Sequence, residues 1–275
     1  MDTFLDAANV LLPVGYLLAA VAYGSLFFGG SPRARRLATP ILVTTVALHL
    51  ADLVVLTLRW RQFPFVTVSE VLSVVAFAVA AVYLLLEWHG RERSTGLWLV
   101  GLVFLFQLLS ALLHVPVPPQ REVFHDPLFA SHVSLAMVGY AAFVIAAAYG
   151  FLFLELYREL KGGRFSTFYG RLPPLEVLER MMTGALSVGF VAFTAAVGLG
   201  VFWAEQRYPE WQWLRDPNIL LTLGTWTLYA VALLLRRTRR WHGRQTAVAA
   251  LAGLGVIVVS LVAVRLLSAD FHGLL

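Results

Sequence analysis

Long apolar runs dominate the chain, and short stretches rich in Arg, Pro and Gly separate them. Eight runs stand out, at about 7–29, 40–58, 66–87, 96–114, 128–156, 175–204, 218–235 and 246–267. Crossing a hydrocarbon core takes roughly 20 apolar residues at about 1.5 Å rise each, so each run predicts one transmembrane helix. The fifth and sixth runs are longer than a crossing needs, which predicts tilt or projection beyond the bilayer. A spanning helix is apolar on nearly every face, so helical periodicity adds little to these bounds. The longest loop, 157–174, is short, and no soluble domain is inserted. The expected architecture is an all-α polytopic membrane bundle of about eight transmembrane helices, forming a single integral membrane domain over residues 1–275.

Composition agrees. Hydrophobic residues make up 59% of the chain and charged residues 13%, and mean hydropathy is +0.76. A soluble domain carries about 25% charged residues, and half that density cannot coat a water-soluble particle. The chain has no cysteine, which excludes disulfides, thiolate metal sites, iron–sulfur clusters and thiol redox chemistry of its own. The net charge of +5 resides in short loops between apolar runs. Membrane topology accounts for that placement, and the expected partner is the lipid bilayer rather than nucleic acid. Residues 1–10 lack a basic n-region and carry Asp2 and Asp6 instead, so the first run reads as a retained helix rather than a cleaved signal peptide.

The loops alternate in charge. Those after the first, third, fifth and seventh runs hold 14 basic residues, among them Arg33, Arg35, Arg36, Arg93, Arg171, Arg236 and Arg237, whereas those after the second, fourth and sixth hold 5. The positive-inside rule assigns the first set to the cytoplasm and therefore both termini to the extracytoplasmic side of an inner (plasma) membrane.

That orientation sorts the seven histidines. His89 and His242 fall in basic cytoplasmic loops and read as solvated residues. His114, His125, His132 and His272 fall on the outer side, and His49 near the middle of the second run. Neutral imidazole is a good axial ligand for haem iron, and two such ligands from different helices clamp a porphyrin between them. Interfacial histidines bonded to water and headgroups remain the other reading of the outer four. An ionisable group at mid-bilayer is by default a functional candidate, and for His49 a hydrogen bond to a neighbouring helix stands beside ligation. The outer loop between the sixth and seventh runs holds Trp203, Tyr208, Trp211, Trp213 and Asp216-Pro217, with Trp226 following. An aromatic belt explains some of these; indole faces also pack on a flat porphyrin, and Arg or backbone groups pair with its propionates. Glu70, a turn into the third run, must face protein, a cavity or a partner charge.

Together these segments resemble the cytochrome c assembly family of membrane haem-handling proteins, of the CcsA/ResC type with HemX-like relatives. Phe63-Pro64 followed by Ser69-Glu70 resembles the family's segment that opens His-Phe-Pro and ends Tyr-Glu-Ser. Ser131-His132-Val133-Ser134 with Tyr140-Ala141 resembles its His-Val-Ser…Tyr-Ala stretch. Trp203-Ala204, Trp211, Trp213 and Asp216-Pro217 resemble its tryptophan-rich WWD segment, and Phe271-His272-Gly273 its closing histidine. Two departures stand out. The WWD segment here reads Trp213-Leu214-Arg215-Asp216-Pro217-Asn218 in place of the family's Trp-Asp-Pro-Lys-Glu. Leu233-Leu234-Leu235-Arg236 occupies the place where haem-exporting members often carry a histidine.

The resemblance implies a protein that holds haem b on the outer face for delivery or attachment to apocytochrome c. His132 and His272 would be the axial ligands of the haem iron. Trp203, Trp211, Trp213 and Asp216 would hold the porphyrin, with Glu70 and His49 as further cofactor-binding candidates. A CcsB/ResB-type membrane partner would act beside it. The resemblance implies no enzyme by itself, and at most one part of a cytochrome c haem lyase or synthetase. A HemX-like regulator of haem biosynthesis is the first alternative. A small-solute transporter is the second, although Gly184, Gly189, Gly198 and Gly200 of the sixth run find no counterpart in another half, and close helix packing explains them more simply.

Overall fold

In hydrocarbon a backbone must satisfy its own N–H and C=O groups, so runs this apolar fold as helices. The computed structural model describes residues 2–90, 93–116, 122–163, 169–207, 217–238 and 240–267, and among them the regular structure is all helical. Eight α-helices follow in order: α1 (Asp2–Phe28), α2 (Pro32–Trp60), α3 (Val68–Gly90), α4 (Gly96–Leu112), α5 (Pro127–Gly162), α6 (Leu175–Arg207), α7 (Pro217–Arg237) and α8 (Gly243–Leu267). A 3₁₀ turn, Glu122–His125, precedes α5.

Each apolar run has become one helix. Six helices (α1, α2, α3, α5, α6 and α7) are long and apolar enough to cross a membrane, while the apolar stretches Gly96–Leu112 and Gly243–Val259 are shorter. Two helices outrun their apolar cores. Pro32 opens α2, because proline pre-sets the helical φ and loses no bond at a first-turn position; Arg33, Arg35 and Arg36 therefore ride on the helix rather than in a loop. At its other end α5 continues to Gly162 and stops at Gly163, whose φ of 62° makes a left-handed cap.

Packing divides the chain into two compact units, Met1–His125 with Phe165–Pro173, and Asp126–Arg164 with Pro174–Leu275. In the first, α1 packs on α2 and α4, and α3 on α2 and α4, which closes a four-helix ring. In the second, α5 lies along α6 as the most extensive pairing, α8 packs on α5 and α7, and α6 also touches α7 and α8. The core of the second unit holds Phe143, Leu186, Phe193, Tyr229 and Ile257, with the Phe143 and Tyr229 rings stacked at 4.1 Å. Close approach of α5 and α6 depends on Gly189, where a Cβ would stand 2.8 Å from the Phe143 ring.

Candidate functional site

At the start of α5, Asp126 is the N-cap. Its Oδ1 accepts from the amides of Leu128 at 2.9 Å and Phe129 at 3.3 Å, and Pro127 follows at the first helical position. These bonds satisfy two of the amides that a helix start leaves open. Its other oxygen, Oδ2, accepts from the Trp203 indole N–H at 3.0 Å, so one carboxylate ties the beginning of α5 to the end of α6. Burial acts to raise the Asp126 carboxyl, but the Trp203 indole, the Leu128 and Phe129 amides and the charge of Arg207 outweigh it and hold the group below the ordinary carboxylate value.

One turn further along, His132 is set by α6. Its Nδ1 lies 2.6 Å from the Ala196 carbonyl oxygen. A carbonyl only accepts, so Nδ1 carries the proton and donates, and the neutral ring presents its lone pair at Nε2. Outer hydrogen bonds of this kind fix the tautomer and orientation of metal-binding histidines. The ring also lies against Gly200, where a Cβ would approach its Cε1 and Nδ1 to 2.7 Å. Phe129 completes the setting, with ring centroids 5.9 Å from His132 and 4.8 Å from Trp203. The donor set fits haem iron: a half-buried neutral imidazole, oriented through one nitrogen and free to ligate through the other.

Of the residues expected to share this site, Trp203 is brought beside His132 through Phe129. His272, Trp211, Trp213 and Asp216 lie outside the described residues. Trp226 donates to Thr194 Oγ1 at 2.9 Å and packs on Phe190. His125 is exposed in the 3₁₀ turn. The sequence singled out neither Asp126, Phe129 nor Ala196 for this site, and Gly200 only as a close-packing position. Signals for two of them were present: Asp126-Pro127 is a helix-start signature, and Ala192, Ala196, Gly200 and Ala204 form a small-residue stripe at four-residue spacing.

His49 and Glu70 belong to the first unit. His49 is fully buried. Its Nδ1 is 2.9 Å from Tyr16 Oη and its Nε2 2.8 Å from Ser73 Oγ, which lies 3.2 Å from Gln107 Oε1. The Gln107 oxygen only accepts, so Ser73 spends its single proton there and must accept from His49 Nε2–H. Nδ1 is then the acceptor of the Tyr16 hydroxyl. One directional chain thus links α1, α2, α3 and α4. Glu70 forms a capping box at the start of α3: its Oε2 accepts from the amides of Val66 at 2.8 Å and Thr67 at 3.0 Å, while Thr67 Oγ1 accepts from the Glu70 amide at 3.2 Å. A cavity of about 160 Å³ opens beside these groups, lined by Asp52, Glu70, Ser73, Gln107, Ser110 and His114 among others.

The fold and its apolar helices define a multi-pass membrane protein. The family model described as Cytochrome C assembly protein matches residues 39–272, and the chain belongs to that family. Among its relatives, the Cytochrome c biogenesis protein CcsA of Parasynechococcus marenigrum (strain WH8102) is 30% identical, over 94% of this chain and 92% of its own. The protein of the same name from Prochlorococcus marinus (strain MIT 9303) is 29% identical over 84% of this chain and 83% of its own. Protein HemX of Brevibacillus brevis is 26% identical over 86% and 83%.

Proposed function

We propose that this protein holds haem b on the extracytoplasmic side of the membrane, between His132 and His272, for attachment to apocytochrome c. The observation that carries the reading is the tautomer of His132: Nδ1–H is committed to the Ala196 carbonyl, which leaves Nε2 as a ligand. Family membership supplies the cargo class, and the loop charges supply the side of the membrane. His272 would supply the second ligand of the haem iron, and Trp211, Trp213 and Asp216 would help to hold the porphyrin. Trp203 holds Asp126 and, through Phe129, the wall beside His132.

Haem brings the vinyl groups to be attached. This chain has no cysteine, so the thiols belong to the apocytochrome, and a CcsB/ResB-type membrane partner would act beside it. Glu70 would be a further cofactor-binding candidate, its carboxylate accepting from the amides of Val66 and Thr67. Ligation by His49 requires Tyr16 to release Nδ1, which makes it a secondary ligand at most. The match to HemX favours a second reading, regulation of haem synthesis through the cytoplasmic loops.

Absorption spectra of the purified protein, oxidised and reduced, separate the two. Wild type carrying haem that is lost or spectrally altered in both His132→Ala and His272→Ala supports the assembly reading. If wild type expressed with ample haem shows no haem band and takes up none on titration, the outer site is refuted and the regulatory reading takes its place.

A further inference from the structure

The end of the first unit that the charge pattern assigns to the cytoplasm holds a cavity of about 540 Å³, lined by Leu26, Phe27, Gly29, Gly30, Arg35, Arg93, Ser94 and Arg171. Arginines from three separate segments line it. Arg93 is held by Glu87, at 2.9 Å from Nε to Oε1, and by the Arg35 carbonyl oxygen at 3.0 Å. Arg171 donates to the Phe27 carbonyl. Among the described residues Glu87 is the one carboxylate in contact with this group, and it is also hydrogen-bonded by Tyr23 and Thr39. Among the described residues the positive charges at this cavity outnumber the negative.

Two helices begin at the same cavity. Arg35 rides on the first turn of α2, and Ser94 immediately precedes Thr95, the N-cap of α4. Neither N-cap residue, Ser31 nor Thr95, makes a side-chain capping bond, so the positive ends of both helix dipoles face this region uncompensated by a cap. Between α1 and α2 the chain turns at Gly29-Gly30, with Gly30 at φ +67° and open space where its side chain would stand. A bare backbone floor, the anchored guanidiniums of Arg93 and Arg171, the exposed Arg35 beside them and two helix N-termini form a receptor for a compact anion with several oxygens.

We infer that this cavity binds a phosphate group, and that its sources are an anionic phospholipid headgroup of the cytoplasmic leaflet or soluble phosphate. The inference is independent of the haem reading. Basic pockets between transmembrane helices at that leaflet recognise such headgroups, and a cluster of arginines suits the several oxygens of a phosphate.

The test uses the full-length protein, as wild type, Arg35→Gln and Arg171→Gln. Arg93 is left unchanged because it neutralises buried Glu87. Thermal stability is measured in detergent with inorganic phosphate, with acetate at equal ionic strength, and in bilayer discs of phosphatidylcholine with or without diphosphatidylglycerol. Stabilisation of wild type by phosphate or by the anionic lipid, weakened about fivefold in apparent affinity in each variant, supports the site. A response to lipid alone names the headgroup as the source, and a response to inorganic phosphate shows that the free ion suffices. Equal responses to phosphate and acetate, no preference for anionic lipid, or variants that bind as wild type does would overturn it. Arg35→Gln keeps the test decisive even if Arg171→Gln misfolds, because Arg35 is exposed and its side chain anchors no other element.

Discussion

His132 is oriented by a residue with no functional group of its own. The Ala196 carbonyl takes the Nδ1 proton, and Gly200 leaves room for the ring. Adding one methyl at position 200 places carbon 2.7 Å from the imidazole, so Gly200→Ala must push His132 off its carbonyl or separate α5 from α6. The expected loss is about 1–3 kcal/mol, read in detergent unfolding, together with a changed haem spectrum if haem is held as proposed. A variant matching wild type in both would mean that the contact yields without consequence. Asp126 makes a pH-dependent contribution. Its folded carboxyl titrates below the unfolded value of about 3.9. The stabilisation is therefore complete above about pH 4 and is lost as pH falls through the folded value. Below that range the α5 start should fray and Trp203 fluorescence should change, and Asp126→Asn should abolish this acid transition. An acid transition of unchanged size in Asp126→Asn would assign it to another group.

At the level of elements, helix starts and helix seams carry the polar residues that composition alone left ambiguous. Glu70 is the clearer case, because its carboxylate closes a capping box at the start of α3. Glu70→Ala should cost about 1 kcal/mol, and Glu70→Gln, which retains an accepting oxygen, should cost much less. Should Gln prove as damaging as Ala, the charge and not the cap is what matters there. The pattern Thr67-Val68-Ser69-Glu70 is a capping-box signature, which the reading of Glu70 as a group facing protein, a cavity or a partner charge did not use. His49 was legible only as a buried ionisable group. Its partners sit 33 and 24 residues away, at Tyr16 and Ser73, and no local pattern announces such a pairing. Tyr16→Phe leaves His49 Nδ1 buried without a donor, and should destabilise the first unit by about 1–3 kcal/mol in a denaturation series. If Tyr16→Phe unfolds as wild type does, the chain from Tyr16 to Gln107 carries no stability.

For the whole molecule, orientation in the membrane is the statement most open to direct measurement, and a chain without cysteine suits it. Single cysteines at Gln206, at the end of α6, and at Lys161, near the end of α5, are expected to differ. Gln206→Cys should react with an impermeant maleimide in intact cells, and Lys161→Cys only after permeabilisation; the reverse pattern would invert the topology. The sequence by itself determined the helical class, the number and order of the helices and the family, because apolar length and loop composition are local quantities that a bilayer converts directly into crossings. It also singled out His132 and Trp203, through motifs. Only the tertiary structure decided the grouping of the helices into two units, the tautomer of His132, the link from Asp126 to Trp203 and the convergence of Arg35, Arg93 and Arg171. Each of these depends on which helix faces share a contact, and an apolar pattern that is nearly uniform around every helix does not encode that choice.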